Sequence, residues 1–407
     1  MRNIELLSPC GDFERLKLAL KFGADAVYLA GEMFGMRTNP SNFNADELKE
    51  AVTLAHSLGK KVYLTCNTLP RNEEIEKLPD FLKYAQQIGI DAFIIADIGV
   101  MAMAKKYAPS VDIMSTQVGI VNYQTANTLY EMGASRIVTA RELSLDEIKT
   151  IRDKTPDDLE IEVFVHGAMC MSFSGRCILS DYMTHRDANR GDCAQPCRWK
   201  YHLVEETRPG QYFPINEEKN GTYIFNSRDL CMIEHIPELV NAGVDSFKIE
   251  GRAKSEYYTA IVTYAYRNAI DEYLKNPSDD FKPSKWILDE MEKMSHREYT
   301  TGFNFGPIEN GQVIDTGGYI RNWDVCALFK DYSNGRLTVS QRNRFFEGDM
   351  LEVVEPNKKP YAITVEDLYN LDDDEKVDVA NKATDTYSFK CDIPISQDAI
   401  FRRQRTE

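Results

Sequence analysis

The feature that most constrains this chain is a short phrase that keeps returning. Gly23-Ala24-Asp25-Ala26, Gly89-Ile90-Asp91-Ala92, Gly133-Ala134-Ser135-Arg136 and Gly243-Val244-Asp245-Ser246 each stand where an amphipathic stretch gives way to an apolar run. A glycine at that joint closes a helix in a left-handed cap, and its recurrence marks an internal repeat of one supersecondary unit. Helix patterns such as 12–22, 45–58 and 73–88 end on Gly23, Gly59 and Gly89 in the same way.

Between these helices lie eight short runs rich in apolar residues: Ile4–Leu7, Ala26–Leu29, Val62–Thr65, Ala92–Ala96, Asp112–Ser115, Arg136–Thr139, Ile161–Val165 and Ser246–Ile249. Strands buried on both faces read as near-continuous apolar runs, which predicts a parallel sheet with helical crossovers. Eight such units fit a closed TIM-type (β/α) barrel, with a doubly wound open sheet as the competing arrangement.

The barrel with its insertion is expected over residues 1–275, a linker and short helix over 276–310, and a small β-barrel-like domain over 311–407. The seventh and eighth strands are separated by about 80 residues, against the roughly 2 to 6 of an ordinary βα loop. That insertion, at about 167–230, reads as functional. Past residue 310 the pattern changes to short alternating segments with turn signals at Ser333-Asn334-Gly335 and Glu347-Gly348-Asp349, the mark of an all-β domain.

A formal charge of -16 over 407 residues excludes a protein that coats nucleic acid non-specifically, so an RNA substrate would need a local basic patch. Arg176, Arg186, Arg190, Arg198 and Lys200 offer one such group, and Arg342, Arg344, Arg402, Arg403 and Arg405 another. No run approaches the ~20 apolar residues that span a bilayer. No secretory leader is read in the first 25 residues, and a cytoplasmic location is expected. There, nine cysteines, an odd number, point to metal ligands, reactive thiols or core residues rather than disulfides. Cys170, Cys177, Cys193, Cys197 and Cys231 crowd into 62 residues of the insertion, a density that suits zinc or an iron–sulfur cluster.

The segment Glu162-Val163-Phe164-Val165-His166-Gly167-Ala168-Met169-Cys170, followed by Met171 to Ser180 with Gly175 and Cys177, resembles the signature of peptidase family U32, the collagenase-like proteins. Leu7-Ser8-Pro9-Cys10-Gly11-Asp12 is similar to that family's opening, except that Cys10 stands where a small residue is usual. Lys248-Ile249-Glu250-Gly251-Arg252 resembles a late barrel motif of the family. The resemblance implies hydroxylation of RNA rather than proteolysis, with a 4Fe-4S cluster as cofactor and prephenate as co-substrate. Its cluster ligands fall on Cys170, Cys177 and Cys193, with the fourth on Cys231 in one branch and Cys197 in another. Cys231 is preferred because it stands at the start of a helix pattern, where a positive helix end favours thiolate. A barrel followed by one β domain is most similar to the branch that hydroxylates tRNA wobble uridine to 5-hydroxyuridine.

Reactive groups of such barrels sit at the C-terminal ends of strands. Asn67, Asp97, Gln117, Arg141, Glu142, His166, Glu250 and Arg252 are expected there. Glu162, His166 and Glu250 are the catalytic candidates. Prephenate is a dicarboxylate, so cations should hold it, with a planar guanidinium accepting a carboxylate in bidentate fashion. Arg37, Arg141, Lys248 and Arg252, with Asn67, are the substrate-binding candidates. The expected partners are tRNA and prephenate and no membrane, with a partner subunit or homo-oligomer left open. Competing readings are a U32-type peptidase using Ser172, Ser174 or Ser180 near His166 or His185, hydroxylation in rRNA or the ubiquinone pathway, and a zinc-held RNA-binding protein without catalysis.

Overall fold

The computed structural model describes residues 4–35, 42–170, 177, 179–188, 192–199, 227–307 and 319–405. Its strands are β1 (Glu5–Pro9), β2 (Ala26–Leu29), β3 (Lys61–Cys66), β4 (Ala92–Ile95), β5 (Asp112–Ser115), β6 (Arg136–Val138), β7 (Glu160–Ala168), β8 (Asp229–Cys231), β9 (Ser246–Ile249) and β10 (Tyr299–Thr300). β1 to β7 pair in sequence order, and β9 pairs in parallel with both β1 and β7. The eight expected strands therefore close into a ring, and the open-sheet alternative falls away.

The helices are α1 (Phe13–Lys21), α2 (Ala45–Ser57), α3 (Asn72–Ile75), α4 (Leu78–Ile88), α5 (Ile98–Tyr107), α6 (Tyr123–Glu131), α7 (Leu145–Asp153), α8 (Leu179–Thr184), α9 (Ile236–Asn241), α10 (Glu256–Lys275) and α11 (Lys285–Glu292). Local chemistry sets their ends. Asp12 and Asp97 accept the first backbone N–H groups of α1 and α5, Asn44 and Glu47 form a capping box on α2, and Ser144 and Glu147 form one on α7. Leu48, Ala51, Val52 and Ala55 of α2 recur at helical spacing and face the strands, each large side chain contributing about 1.5–3 kcal/mol on burial. Leu7, Ala26, Tyr28, Tyr63, Ala92, Ile94 and Met114 form a second, smaller cluster of their own, which fills the inside of the ring.

Two short strands extend the sheet past the ring. β8 runs antiparallel along the end of β7, setting Cys231 opposite His166, and β10 lies parallel beside β8. β7 is bulged: Phe164 pairs with Lys248, but His166, two residues on, pairs with Ile249, the very next residue of β9. One extra residue in the strand breaks the in–out alternation. Gly167 follows at φ 113°, and a Cβ there would stand 2.6 Å from the Glu250 carbonyl oxygen, so only glycine fits.

The C-terminal unit contains β11 (Trp323–Ser333), β12 (Arg336–Gln341), β13 (Phe345–Phe346), β14 (Met350–Val354), β15 (Tyr361–Thr364), β16 (Glu366–Asn370), β17 (Glu375–Lys376), β18 (Val379–Ala380), β19 (Thr386–Lys390) and β20 (Ile400–Gln404). Eight of them form an antiparallel sheet in the order β15-β14-β20-β11-β12-β19-β16-β17. Asn334 and Gly335 turn β11 into β12 with both residues at positive φ, as the Asn-Gly signal requires. Val354 and Ile400 join the barrel's apolar core. Beside them, buried Arg402 donates Nη2–H to Glu290 of α11 (2.7 Å) and Nη1–H to the Tyr257 hydroxyl of α10 (2.9 Å). No helix among the described residues is long and apolar enough to cross a membrane.

Candidate functional site

The lower half of the barrel interior holds charge rather than hydrocarbon. Arg136, at the start of β6, donates to Glu5 (2.5 Å), Glu160 (2.7 Å) and Glu162 (3.0 Å). Lys248 of β9 donates to the other Glu162 oxygen at 2.6 Å. Burial alone would raise the Glu5 carboxyl, but the Arg136 guanidinium holds it below the ordinary carboxylate range. The Lys248 ammonium is lowered by burial, with Glu162 opposing. Glu162 and Lys248, two sequence-predicted site residues, are thus brought together, as an ion pair beneath the mouth of the barrel.

Above this layer the cations climb the wall on aromatic faces. Lys248 stands over the Tyr28 and Phe164 rings at 4.8 and 5.3 Å, and Arg141, in the loop after β6, lies on the same Phe164 ring at 3.9 Å. Arg136 and Lys248 both have carboxylate partners. Arg141 has none among the described residues; its Nη1–H donates to the Ala168 carbonyl at 2.8 Å. The guanidinium borders a small recess with Thr139, Phe164, Leu230 and Asn304, and the Thr139 hydroxyl is buried without a hydrogen-bond partner among the described residues. A fixed, planar cation beside an unsatisfied hydroxyl can receive an anionic, oxygen-rich molecule.

Other predicted residues reach the same end of the barrel. Asn67, after β3, donates to Gln117, after β5, at 2.9 Å, and Arg252 donates to Thr65 at 3.1 Å. The Glu250 backbone N–H donates to the His166 carbonyl, and the Glu250 carbonyl accepts from the Tyr258 hydroxyl. Asp97 caps α5. Arg37 lies outside the described residues.

The structure places His166 differently from the expectation that it faces the mouth with these groups. Because of the bulge, its ring packs among Tyr258 and Tyr266 of α10 and Tyr299 of β10, with centroids 5.5–5.9 Å away. Burial, with Lys254 and His296 adding to it, lowers its pKa to about 3, so the ring is neutral at physiological pH. Its Nδ1 has no hydrogen-bond partner among the described residues.

Cys231 is the last residue of β8, not the first of a helix; a short 3-10 turn, Ile233–His235, separates it from α9. Its thiol is pushed up to about 12 by burial, with the Ile233 backbone N–H acting in the opposite direction, so the expected helix-end activation is absent. Two further thiols share that N–H pattern: Cys177 Sγ accepts from Leu179 N–H (3.3 Å) and Cys193 Sγ from Gln195 N–H (3.4 Å). In all three the donor lies two residues ahead. Such N–H···S bonds suit thiolates that ligate a metal group, whose charge they help to carry. The Ser180 hydroxyl accepts from Ala194 N–H at 2.9 Å and so ties the Cys177 side of the insertion to the Cys193 side. Cys170 is exposed just past β7, and Cys197 lies in the 3-10 turn Pro196–Arg198. Among the described residues, no three Cys, His, Asp or Glu side chains stand close enough to hold a metal ion. The donor chemistry thus fits a thiolate-held cluster, but the sulfurs are not gathered around one point.

Of the three candidate peptidase serines, only Ser180 lies among the described residues. Ser172 and Ser174 lie outside the described residues, and Ser180 is buried with its hydroxyl engaged by Ala194. Of the expected basic groups, Arg402 is buried in ion pairs, Arg403 pairs with Asp349, Arg405 with Asp324 and Arg186 with Asp192. Arg176, Arg190, Lys200 and the Arg198 side chain lie outside the described residues, while Arg342 donates to Ser340 and the Gln341 carbonyl and Arg344 stands over the Phe346 ring. The sequence reading passed over Arg136 and Glu5, although an arginine opening an apolar strand signals a buried charge that needs partners.

The description peptidase family U32 matches residues 11–313, and that of the family's C-terminal domain matches residues 321–402. Over 98% of this chain and 94% of its own length, tRNA hydroxylation protein P1 of Bacillus subtilis is 36% identical. The tRNA hydroxylation protein P of Escherichia coli is 35% identical over 86% of each chain. An uncharacterized protease of Methanocaldococcus jannaschii is 44% identical over 75% of this chain and 74% of its own.

Proposed function

The chain belongs to peptidase family U32, and from that premise we propose that it is an RNA-modifying enzyme of the cytoplasm that hydroxylates the wobble uridine of tRNA at carbon 5, with prephenate as co-substrate. The observation that carries the reading is a likeness running through barrel and β domain together to proteins named for tRNA hydroxylation. The geometry supports it at the mouth of the barrel. Arg141, resting over the Phe164 ring and anchored through one nitrogen, has further N–H groups to offer a carboxylate of prephenate. The amide pair of Asn67 and Gln117 offers donors and acceptors to a base edge. An anticodon loop presents unstacked bases that can enter such a site without melting a duplex.

Cys170, Cys177, Cys193 and Cys231 would hold the 4Fe-4S cluster, supported by the N–H···S bonds from Leu179, Gln195 and Ile233. When bound, such a cluster supplies one-electron redox chemistry. Among the thiols, Cys231 is the one bound into the sheet, opposite His166.

The test is mass spectrometry of tRNA nucleosides from cells lacking the gene and from the same cells carrying the wild type or a Cys→Ser variant at each of the four positions. Loss of 5-hydroxyuridine, restored by the wild type alone, is expected. Iron and acid-labile sulfide in anaerobically purified protein should fall in each variant. Unchanged wobble uridines together with gelatin hydrolysis by the purified protein would put the peptidase reading in its place.

A further inference from the structure

The strongest cationic grouping in the described structure lies where no sequence motif pointed, around Tyr319 on the approach to the C-terminal sheet. Lys254, in the loop from β9 to α10, donates Nζ–H to the Tyr319 hydroxyl at 3.3 Å, and Arg297 donates Nη2–H to the same oxygen at 3.3 Å. Lys254, Arg297 and Arg321 stand over the ring at 4.5, 4.7 and 5.7 Å. Three cations therefore surround one phenol in a chain whose net charge is -16.

Their counter-charges are few. Arg297 is buried and faces Asp229 at 3.8 Å. Arg321 is exposed and, among the described residues, donates to the Ser295 hydroxyl at 3.2 Å. Among the described residues neither Lys254 nor Arg321 has a carboxylate partner. The Tyr319 oxygen already accepts from two cations, so its own O–H is left as a donor. A hydroxyl donor flanked by an ammonium and an exposed guanidinium is complementary to a phosphate oxygen. The site lies on the barrel's reactive end, since Lys254 follows Arg252 by two residues.

We propose that Lys254, Tyr319 and Arg321 bind a backbone phosphate of the tRNA while its base occupies the barrel mouth. The inference rests on the tRNA reading above and adds where the strand is gripped. It also explains how an acidic protein meets a polyanion, through one local cradle.

The test is binding of an unmodified tRNA transcript to the full-length protein, followed by fluorescence anisotropy over a range of salt. The double variant Lys254→Gln, Arg321→Gln should bind on the order of tenfold more weakly, with the log–log salt slope reduced by about 0.7–0.9, the loss of one phosphate contact. Tyr319→Phe keeps the ring and removes the hydroxyl, so affinity should fall severalfold at an unchanged slope. If the double variant melts early, Arg321→Gln alone, at an exposed position, should still weaken binding severalfold and lower the slope by less than the double variant does. Wild-type affinity and slope in these variants would overturn the proposal and leave the tRNA reading standing. A wild-type protein that binds no tRNA, with unchanged nucleosides in the deletion strain, would remove both.

Discussion

Lys248 donates to Glu162 at 2.6 Å inside the barrel, and both side chains are buried. Two residues at motif positions, read from sequence as a substrate-binding and a catalytic candidate, are each other's partners. The pair also carries the load of Arg136, whose guanidinium shares the Glu162 carboxylate. Removing one member of a buried ion pair strands the other charge and costs about 3–5 kcal/mol. Glu162→Gln should therefore lower stability by that amount in chemical denaturation. Wild-type stability with hydroxylation abolished would instead assign Glu162 to the reaction.

The join between barrel and sheet domain makes a parallel case. Arg402 and Glu290 are both almost wholly buried, with Tyr257 and Glu352 completing the arginine's bonds. Arg402→Ala should cost about 3–5 kcal/mol, because Glu290 would be left buried without its partner. Combining Arg402→Met with Glu290→Leu should recover most of the loss, since Lys293 still holds Glu352. Unfolding curves of the three proteins check this.

Arg141 gives a test of the proposed prephenate site. Arg141→Lys keeps the charge but loses the planar fork and its stacking on Phe164. The prephenate concentration for half-maximal hydroxylation should rise by about tenfold, the loss of roughly 1.4 kcal/mol of charged hydrogen bonding, with unfolding unchanged. Prephenate titrations of modification activity at fixed tRNA provide the measurement.

Much of this fold was legible because barrel strands are apolar on both faces and each repeat carries its own glycine joint. The eight staves follow from the order of the apolar runs and the repeated joint. β8 and β10 were not legible: three and two residues carry no periodicity, and their pairing is set by distant partners. His166 was misplaced for a related reason. Alternation along β7 points it inward with Glu162 and Phe164, and only the bulge at Val165, invisible in one sequence, turns it toward α10. The Tyr319 cradle joins residues 254, 297, 319 and 321, which no local window contains. The cysteine spacing was visible throughout, because cysteine is scarce and five of the nine fall within 62 residues.

Gly167 tests the claim that the signature glycine is there for backbone reasons. At φ 113°, with the Glu250 carbonyl oxygen 2.6 Å and the Glu250 Cβ 2.9 Å from where a methyl would stand, the overlap is partly with backbone and cannot relax by rotation. Gly167→Ala should cost about 2–4 kcal/mol and disturb the β7–β9 pairing. Thermal melts, with hydrogen exchange at the Glu250 amide, would register both effects.

The His166 cage makes acid stability predictable in sign. The folded pKa, lowered to about 3, lies below the ordinary 6.5, so between those values the unfolded chain binds a proton that the native protein refuses. Stability therefore rises with pH through this window, and the loss begins as pH falls below 6.5. From pH 7 to pH 5 this one residue should remove about 2 kcal/mol. His166→Phe, placed among Tyr258, Tyr266 and Tyr299, cannot titrate and should flatten the acid limb by that amount, whatever its effect at pH 7. Denaturant unfolding of both proteins at pH 7 and pH 5 measures the difference. An identical pH dependence would mean that the imidazole is protonated in the folded state and that the cage is open to water.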